Sequence, residues 1–308
     1  MFGIDMLLNA FRGDRRCTDA KAVVTGAGSG IGRSFALELA RRGGEVICAD
    51  IDSDRADETV ALIDGLPTGK GHAVVCDVSD RSAVEQLAKQ ANSIFGGPPT
   101  LVINNAGVGV GGKPVGAIGF EDWDWALGIN LWGVVYGCEV FTPILREAGR
   151  GGIINVASAA GFAAAPSMAP YNVSKAGVMS LSETLAAELA GAGVAVTVLC
   201  PTFVKTNVFQ DGRITPGSMN LSQQLARWTG LSPDNVAART LDAHDSGRLY
   251  VVPQIEDCHL APEAALPRSL CPGRRAARPS TPQRLKSPRL SLYRKDAPWR
   301  WISTTCCR

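Results

Sequence analysis

The chain has 308 residues, of which 45% are hydrophobic and 19% charged, with a formal net charge of +2. That length suits one large domain with an appendage, or two small ones, and the composition is that of a globular enzyme. No run approaches the roughly 18 uninterrupted apolar residues of a membrane span. The N-terminus has Asp5 inside its apolar run and no basic residue ahead of it, a poor secretion signal, so a cytoplasmic location is expected. With three histidines (His72, His244, His259) and nine scattered cysteines lacking any Cys-x-x-Cys, no metal site is expected.

In chain order, residues 1–20 read as an N-terminal extension, apolar and then charged. A strand at 22–25 breaks at a glycine loop, Thr25-Gly26-Ala27-Gly28-Ser29-Gly30-Ile31-Gly32, followed by a helix to Arg42 and a strand 45–50 ending in Asp50. Alternation continues: helix 53–64, strand 72–76, helix 80–95, strand 100–104, helix 130–148, strand 153–157, helix 171–190, strand 194–200, helix 232–245 and strand 249–252. Strands alternating with helices predict an α/β fold, a Rossmann-type doubly wound parallel sheet forming a single domain over 21–252. Its strands are near-continuous apolar runs, as both-face burial requires, and the binding crevice is expected beyond their carboxyl ends.

Residues 253–308 differ. Nine Arg and two Lys face four acids there, a net +7, while the remaining 20 basic and 25 acidic residues give −5. Eight of the 18 prolines also fall in this stretch. Such composition builds no core. Three readings stand: a disordered basic tail, an interaction tail for nucleic acid or an anionic membrane, or the product of a reading-frame shift near codon 253. Nucleic acid rests on charge alone and is disfavoured as a partner.

The glycine loop between strand and helix predicts a nucleotide site, because backbone amides at the helix N-terminus receive a pyrophosphate that side chains would block. Asp50, 24 residues beyond Gly26, is placed to accept ribose hydroxyls and to repel a 2′-phosphate, which favours NAD over NADP. Ala27 puts no positive charge in the loop, although Arg33 follows it.

Tyr171 and Lys175 lie four residues apart, one turn apart on a helix face. Bringing a phenol from about 10 to about 7 needs roughly 4 kcal/mol. An ammonium about 5 to 6 Å away, at an effective dielectric near 20, supplies roughly 3 kcal/mol. One lysine nearly suffices by this estimate; an exposed helical pair is the plain alternative for these two residues alone.

Taken together, the glycine loop, Asp77-Val78, Asn104-Asn105-Ala106-Gly107, Asn130, Ser158 and Tyr171-Asn172-Val173-Ser174-Lys175 resemble, in order, the short-chain dehydrogenase/reductase family of the classical type. The resemblance runs from about Lys21 to Val252. It implies hydride exchange with NAD, Tyr171 as general acid/base, Lys175 lowering the phenol's pKa and holding the nicotinamide ribose, and Ser158 orienting the substrate oxygen. Asn130 would position a water linking Lys175 to solvent. Cofactor contacts are implied for Thr25, Gly26, Gly28, Ser29, Gly30, Ile31, Gly32, Asp50, Asp77, Val78, Asn104, Ala106, Gly107, Pro201 and Thr206, besides Tyr171 and Lys175. Asp77 would receive the adenine amino group, and Asn104 would also stabilise the sheet. The family's Pro-Gly after the sixth strand is Pro201-Thr202 here. A homodimer or homotetramer through the helices at 130–148 and 171–190, and a lid over 203–220, are likewise implied.

Apolar residues near the catalytic stretch (Phe162, Ala163, Ala164, Pro166, Met168) and after the sixth strand (Phe203, Val204, Phe209) suggest a hydrophobic alcohol or ketone as substrate. Gly107 to Lys113 imitates a phosphate loop, but Pro114 stands where a magnesium-ligating hydroxyl is needed. No Gly-x-Ser-x-Gly elbow with a well-placed histidine appears, against a hydrolase. The alternatives to a secondary alcohol/ketone oxidoreductase are a catalytically silent nucleotide-sensing or scaffold protein on the same fold, and nucleic-acid binding through the tail.

Overall fold

A computed structural model describes residues 16–206, 212–215 and 230–254. Of the expected N-terminal extension and tail only 16–20 and 253–254 are described; residues 1–15 and 255–308 lie outside the described residues, as do 207–211, with Phe209, and 216–229, and so most of the lid expected over 203–220.

The elements are β1 (Lys21–Thr25), α1 (Gly30–Arg41), β2 (Glu45–Asp50), α2 (Ser53–Asp64), β3 (Lys70–Val75), α3 (Arg81–Ile94), β4 (Leu101–Asn104), β5 (Val110–Gly111) and α4 (Phe120–Leu127). A π-helical turn (Gly128–Trp132) then leads into α5 (Gly133–Ala148), β6 (Gly151–Val156), α6 (Ala169–Glu188), β7 (Val194–Leu199), β8 (Arg213–Ile214), α7 (Pro233–Asp245) and β9 (Tyr250–Val251). Seven strands form one parallel sheet in the order β3-β2-β1-β4-β6-β7-β9, and β5 pairs with β8 separately. The chain winds outward from β1 to β3 and then restarts at β4 on the other side of β1. The carboxyl ends of β1 and β4 are thus the point where the winding reverses, which is where open α/β sheets bind ligands.

Successive strand residues enter opposite cores. Val23, Ile47, Val102 and Ile153 pack with Leu87 of α3, Phe141 of α5 and Val178 of α6. Their neighbours Ala22, Val24, Val46, Leu101, Ile103 and Ile154 pack with Phe35 and Leu39 of α1, Ile63 of α2 and Leu241 of α7. Both faces are covered, so the central strands read as near-continuous apolar runs. Helix starts follow capping chemistry: Asp52 accepts from Arg55 N (3.2 Å), Asp80 from Ser82 N (2.8 Å), and Ser232 from Asn235 N (3.2 Å) ahead of Pro233.

Three boundaries differ from the sequence expectation. Cys17 and Ala20 are buried in the α1/α7 core, so the described end of the supposed extension packs with the domain. At the other end, Gln254 accepts from Thr202 N (3.1 Å) and donates to Phe203 O (2.9 Å), so the supposed tail begins later than 253. The helical run expected from 130 starts at Phe120 and contains the π turn. This run, Phe120–Ala148, is the single one among the described residues with the length and mean hydropathy (1.2) of a membrane span; Phe141 and Leu145 bury one face of it in the sheet core.

His244 on α7 is fully buried, with Nδ1 2.9 Å from Thr197 Oγ1, whose hydroxyl donates to Arg248 O (2.7 Å). Burial, and secondarily the charge of Arg16, push this imidazole from 6.5 down to about 3. The unfolded chain therefore binds one more proton between those values. Stability contributed by the neutral ring is whole above about 6.5 and is lost as pH falls toward 3, by up to ~1.4 kcal/mol per pH unit. Thermal melts of the wild type and His244→Asn should differ most near neutrality and converge on acidification; parallel decline would contradict this.

Candidate active site

The glycine loop follows β1 and meets the turn that follows β4. Thr25 Oγ1 accepts from Asn105 N (3.0 Å) and Ala106 N (3.2 Å), and Asn105 Nδ2 donates to Thr25 O (2.8 Å) and Gly26 O (3.1 Å). The two turns are therefore stitched together, and Gly32 lies where this happens: a Cβ there would sit 2.0 Å from Gly26 O and 2.4 Å from Asn105 Nδ2. Unlike α2, α3 and α7, α1 has an N-cap, Ser29, whose hydroxyl caps no amide. Its first-turn N–H groups face a cleft of about 430 Å³ lined by Gly26, Ser29, Gly30, Ile31 and Gly32. An anion is what such a terminus accepts, so the loop fits the pyrophosphate of a dinucleotide.

Asp50 lines the same cleft, with Oδ2 accepting from Gly28 N (2.8 Å) and Oδ1 from Asp52 N (3.1 Å). Both oxygens are fixed by backbone donors and retain lone pairs for ribose hydroxyls. Asp77 and Val78 also line it, and Ser79 N and Oγ orient the Asp77 carboxylate (2.9 and 2.7 Å). Thr206 stands over the loop: a Cβ on Gly30 would lie 3.2 Å from its methyl.

On the opposite wall are Ser158, Tyr171 and Lys175, with Pro201 beside them. Ser158 stands just after β6, where its Oγ donates to Pro201 O (3.4 Å) and accepts from Ala160 N (3.2 Å), and it is near enough to the Tyr171 phenol to favour the ionised form. Lys175 is almost completely buried; Nζ donates to Val156 O (2.9 Å) and lies 5.8 Å from the Tyr171 ring centre. Gly107 faces this ammonium, because a Cβ there would lie 3.4 Å from Nζ and 3.1 Å from Asn130 Oδ1. Burial pushes the Tyr171 phenol above its ordinary value, opposed by the Ser158 hydroxyl, and pushes Lys175 down to about 8. The energy read from spacing, in which one lysine nearly brings the phenol to neutrality, leaves out desolvation, which penalises both charged forms.

Four predicted residues do not line the cleft. Thr25 and Gly28 act from behind it through the bonds given above. Asn104 points into the core, donating to Asn155 Oδ1 (2.8 Å), which agrees with a sheet-stabilising role and not with cofactor contact. Asn130, fully buried in the π turn, uses its side chain on Val108: Oδ1 accepts from Val108 N (2.8 Å) and Nδ2 donates to Val108 O (2.9 Å). These two bonds make Asn130 a brace for the wall beside Lys175.

The expected apolar wall is also different. Phe162 through Pro166 are exposed, with Phe162 against the Tyr250 ring (5.6 Å), and among the described apolar residues named in advance only Val204 lines the cleft. Val108, Trp125, Ile129 and Val156 line it instead, as do Ile51, Asp52, Arg55 and Thr202. Trp125 and Ile129, four apart on one helical run, carry a periodicity signal that points to a shared face but not to this cleft.

A family profile described as short chain dehydrogenase matches residues 20–216. Over 191 residues the chain is 43% identical to the probable oxidoreductase EphD of Mycobacterium tuberculosis, covering 62% of this chain and 32% of that protein, so it spans about a third of the length of such relatives. It is 30% identical over 250 residues to the C alpha-dehydrogenase of a Sphingobium species, covering 77% and 81% of the two chains. A short chain dehydrogenase/reductase from Burkholderia phymatum, solved in complex with NAD, superposes with a TM-score of 0.72 at 34% identity, covering 83% of this chain and 99% of that one.

Proposed function

Because the chain belongs to the short-chain dehydrogenase/reductase family, we propose that it is an NAD-dependent oxidoreductase interconverting a secondary alcohol and a ketone, with Tyr171 as general acid/base. The observation that carries this reading is the facing of two walls in one cleft: the uncapped α1 terminus with Asp50 on one side, Ser158, Tyr171 and Lys175 on the other.

A bound nicotinamide supplies the hydride acceptor for alcohol oxidation and the donor for ketone reduction. Ser158 and Tyr171, side by side in the cleft, bracket the substrate oxygen. Tyr171 takes its proton during oxidation and returns it during reduction. Lys175, held on Val156 O, would favour the phenolate form of Tyr171 by its charge and would hold the nicotinamide ribose of a bound cofactor. The apolar lining from Val108, Ile129, Val156 and Val204 favours an apolar substrate body and excludes water.

Asp50 favours NAD, since a 2′-phosphate would face a fixed carboxylate, and the one nearby cation in the lining, Arg55, is engaged by Asp52 (3.2 Å). The complex of the Burkholderia relative with NAD agrees with that choice. Association as a homo-oligomer accords with half-exposed Trp132 and Val173 at the start of α5 and on α6.

Purified protein offered a panel of secondary alcohols with NAD or NADP should form reduced cofactor, at least about tenfold more efficiently with NAD. Cofactor binding with no turnover of any alcohol or ketone would favour the silent nucleotide-sensing reading, and a preference for NADP would overturn the role given to Asp50.

A further inference from the structure

The small β5–β8 sheet is left without a role by the catalytic reading. Arg213 N donates to Gly109 O (3.0 Å) and Thr215 N to Gly111 O (3.3 Å), joining β8 to the segment that follows the Asn105–Gly107 turn. The Arg213 guanidinium lies 4.5 Å over the ring of Trp125, a cleft residue. Its Nη1 reaches Asp122 Oδ1 (3.3 Å) and Glu121 O (3.2 Å), while Lys113 Nζ holds the other Asp122 oxygen (3.1 Å). Asp122 is itself mostly buried, and Lys113, together with Arg213, holds its carboxyl below the usual carboxylate range despite that burial.

On its other side the β5 segment is tied to the catalytic loop, Gly112 N donating to Ser167 O (2.8 Å). There is no slack in the ribbon: at Gly112, where φ is +100°, a Cβ would sit 2.0 Å from Thr215 Oγ1. Just before β5, both backbone groups of Val108 are held by Asn130, and Gly107 abuts Lys175. Contacts therefore run without a break from Arg213 through β5 to the wall beside the catalytic ammonium.

We propose that Arg213 is a positioning residue for hydride transfer: seated on Trp125 and paired with Asp122, it fixes β8 on β5 and holds Trp125 and the Gly107–Val108 wall in the shape that receives cofactor and substrate. This rests on the oxidoreductase reading above. A planar guanidinium can stack on the indole while donating in its own plane to Asp122 and Glu121, which an ammonium cannot do. The Arg213 side chain is 45% exposed and Lys113 still pairs with Asp122 when it is gone, so its loss is felt locally.

NADH titration by calorimetry and steady-state kinetics on the wild type, Arg213→Ala, Arg213→Lys, Trp125→Leu and the Arg213→Ala/Trp125→Leu pair test this. Arg213→Ala should weaken NADH and lower kcat/KM by about tenfold with its melting temperature nearly unchanged; Lys should restore only part, and the double variant should lose no more than its worse single. Binding and kinetics of Arg213→Ala within about twofold of wild type, or losses that multiply in the double variant, would overturn the proposal. If the wild type binds NADH yet turns over nothing, the oxidoreductase reading fails while the titrations still decide the role of Arg213; a wild type that binds no NADH defeats both.

Discussion

Tyr171→Phe is expected to reduce kcat by about 10³-fold while leaving NADH affinity and the melting temperature near wild-type values. The substitution deletes one oxygen and keeps the ring, so the packing at the start of α6 survives. What disappears is the hydroxyl beside Ser158 that exchanges a proton with the substrate oxygen. Ser158 and the cofactor cradle remain, which predicts a small residual rate and a cofactor titration that does not change. Steady-state kinetics beside calorimetry separate the two quantities, and turnover within about tenfold of wild type would remove Tyr171 from the mechanism.

Lys175→Met should lower the neutral-pH rate of alcohol oxidation by about 10²-fold and move the pH–rate limb upward. The sign follows from the charge states. Oxidation needs the phenolate, so activity is present above the apparent pKa of the Tyr171–Lys175 pair and lost as pH falls through it. Burial already raises the phenol, and Lys175→Met withdraws the ammonium 5.8 Å from its ring, whose charge favours the phenolate. Burial also lowers Lys175 to about 8, so the wild-type lysine gives up its own charge as pH rises past that value. A methionine fills the slot without a charge to desolvate, so folding should hold or improve. Coincident pH profiles for the two proteins would show that Lys175 does not tune the phenol.

The doubly wound sheet was legible because both its faces are buried and its strands are near-continuous apolar runs, as at Val46 to Ala49 and Leu101 to Ile103. The glycine loop, Asp50, Ser158, Tyr171 and Lys175 were legible because each motif keeps its order along the chain and the fold brings them to one cleft. α4 was not, since it inverts the usual pattern: Phe120 at its start is 84% exposed while Asp122 is buried between Lys113 and Arg213. Periodicity of apolar residues cannot find a helix whose buried member is a carboxylate. Nor can it find β5 and β8, strands of two residues whose partners lie about a hundred positions apart.

The substrate wall was misplaced for a related reason. Phe162 to Pro166 are near Tyr171 in sequence but turn outward, whereas Trp125 and Ile129 arrive at the cleft on a separate helical run. Asn130 shows the same limit at the scale of one side chain: its position was legible, but its bonds to Val108 depend on a turn that only the fold supplies. The Tyr171–Lys175 energy was misjudged because spacing gives the distance between two groups and says nothing of how deeply both are buried.

The central claim, direct hydride transfer between a substrate carbon and a nicotinamide with Tyr171 handling the proton, is tested most directly by isotope. A secondary alcohol turned over by the protein, carrying deuterium on its carbinol carbon, is incubated with NAD, and the reduced cofactor is analysed by mass spectrometry and NMR. Deuterium should appear on one face of the nicotinamide ring without exchange into water, and the product should be nearly absent with Tyr171→Phe. Reduced cofactor whose new hydrogen comes from solvent, or equal label transfer by Tyr171→Phe, would contradict it.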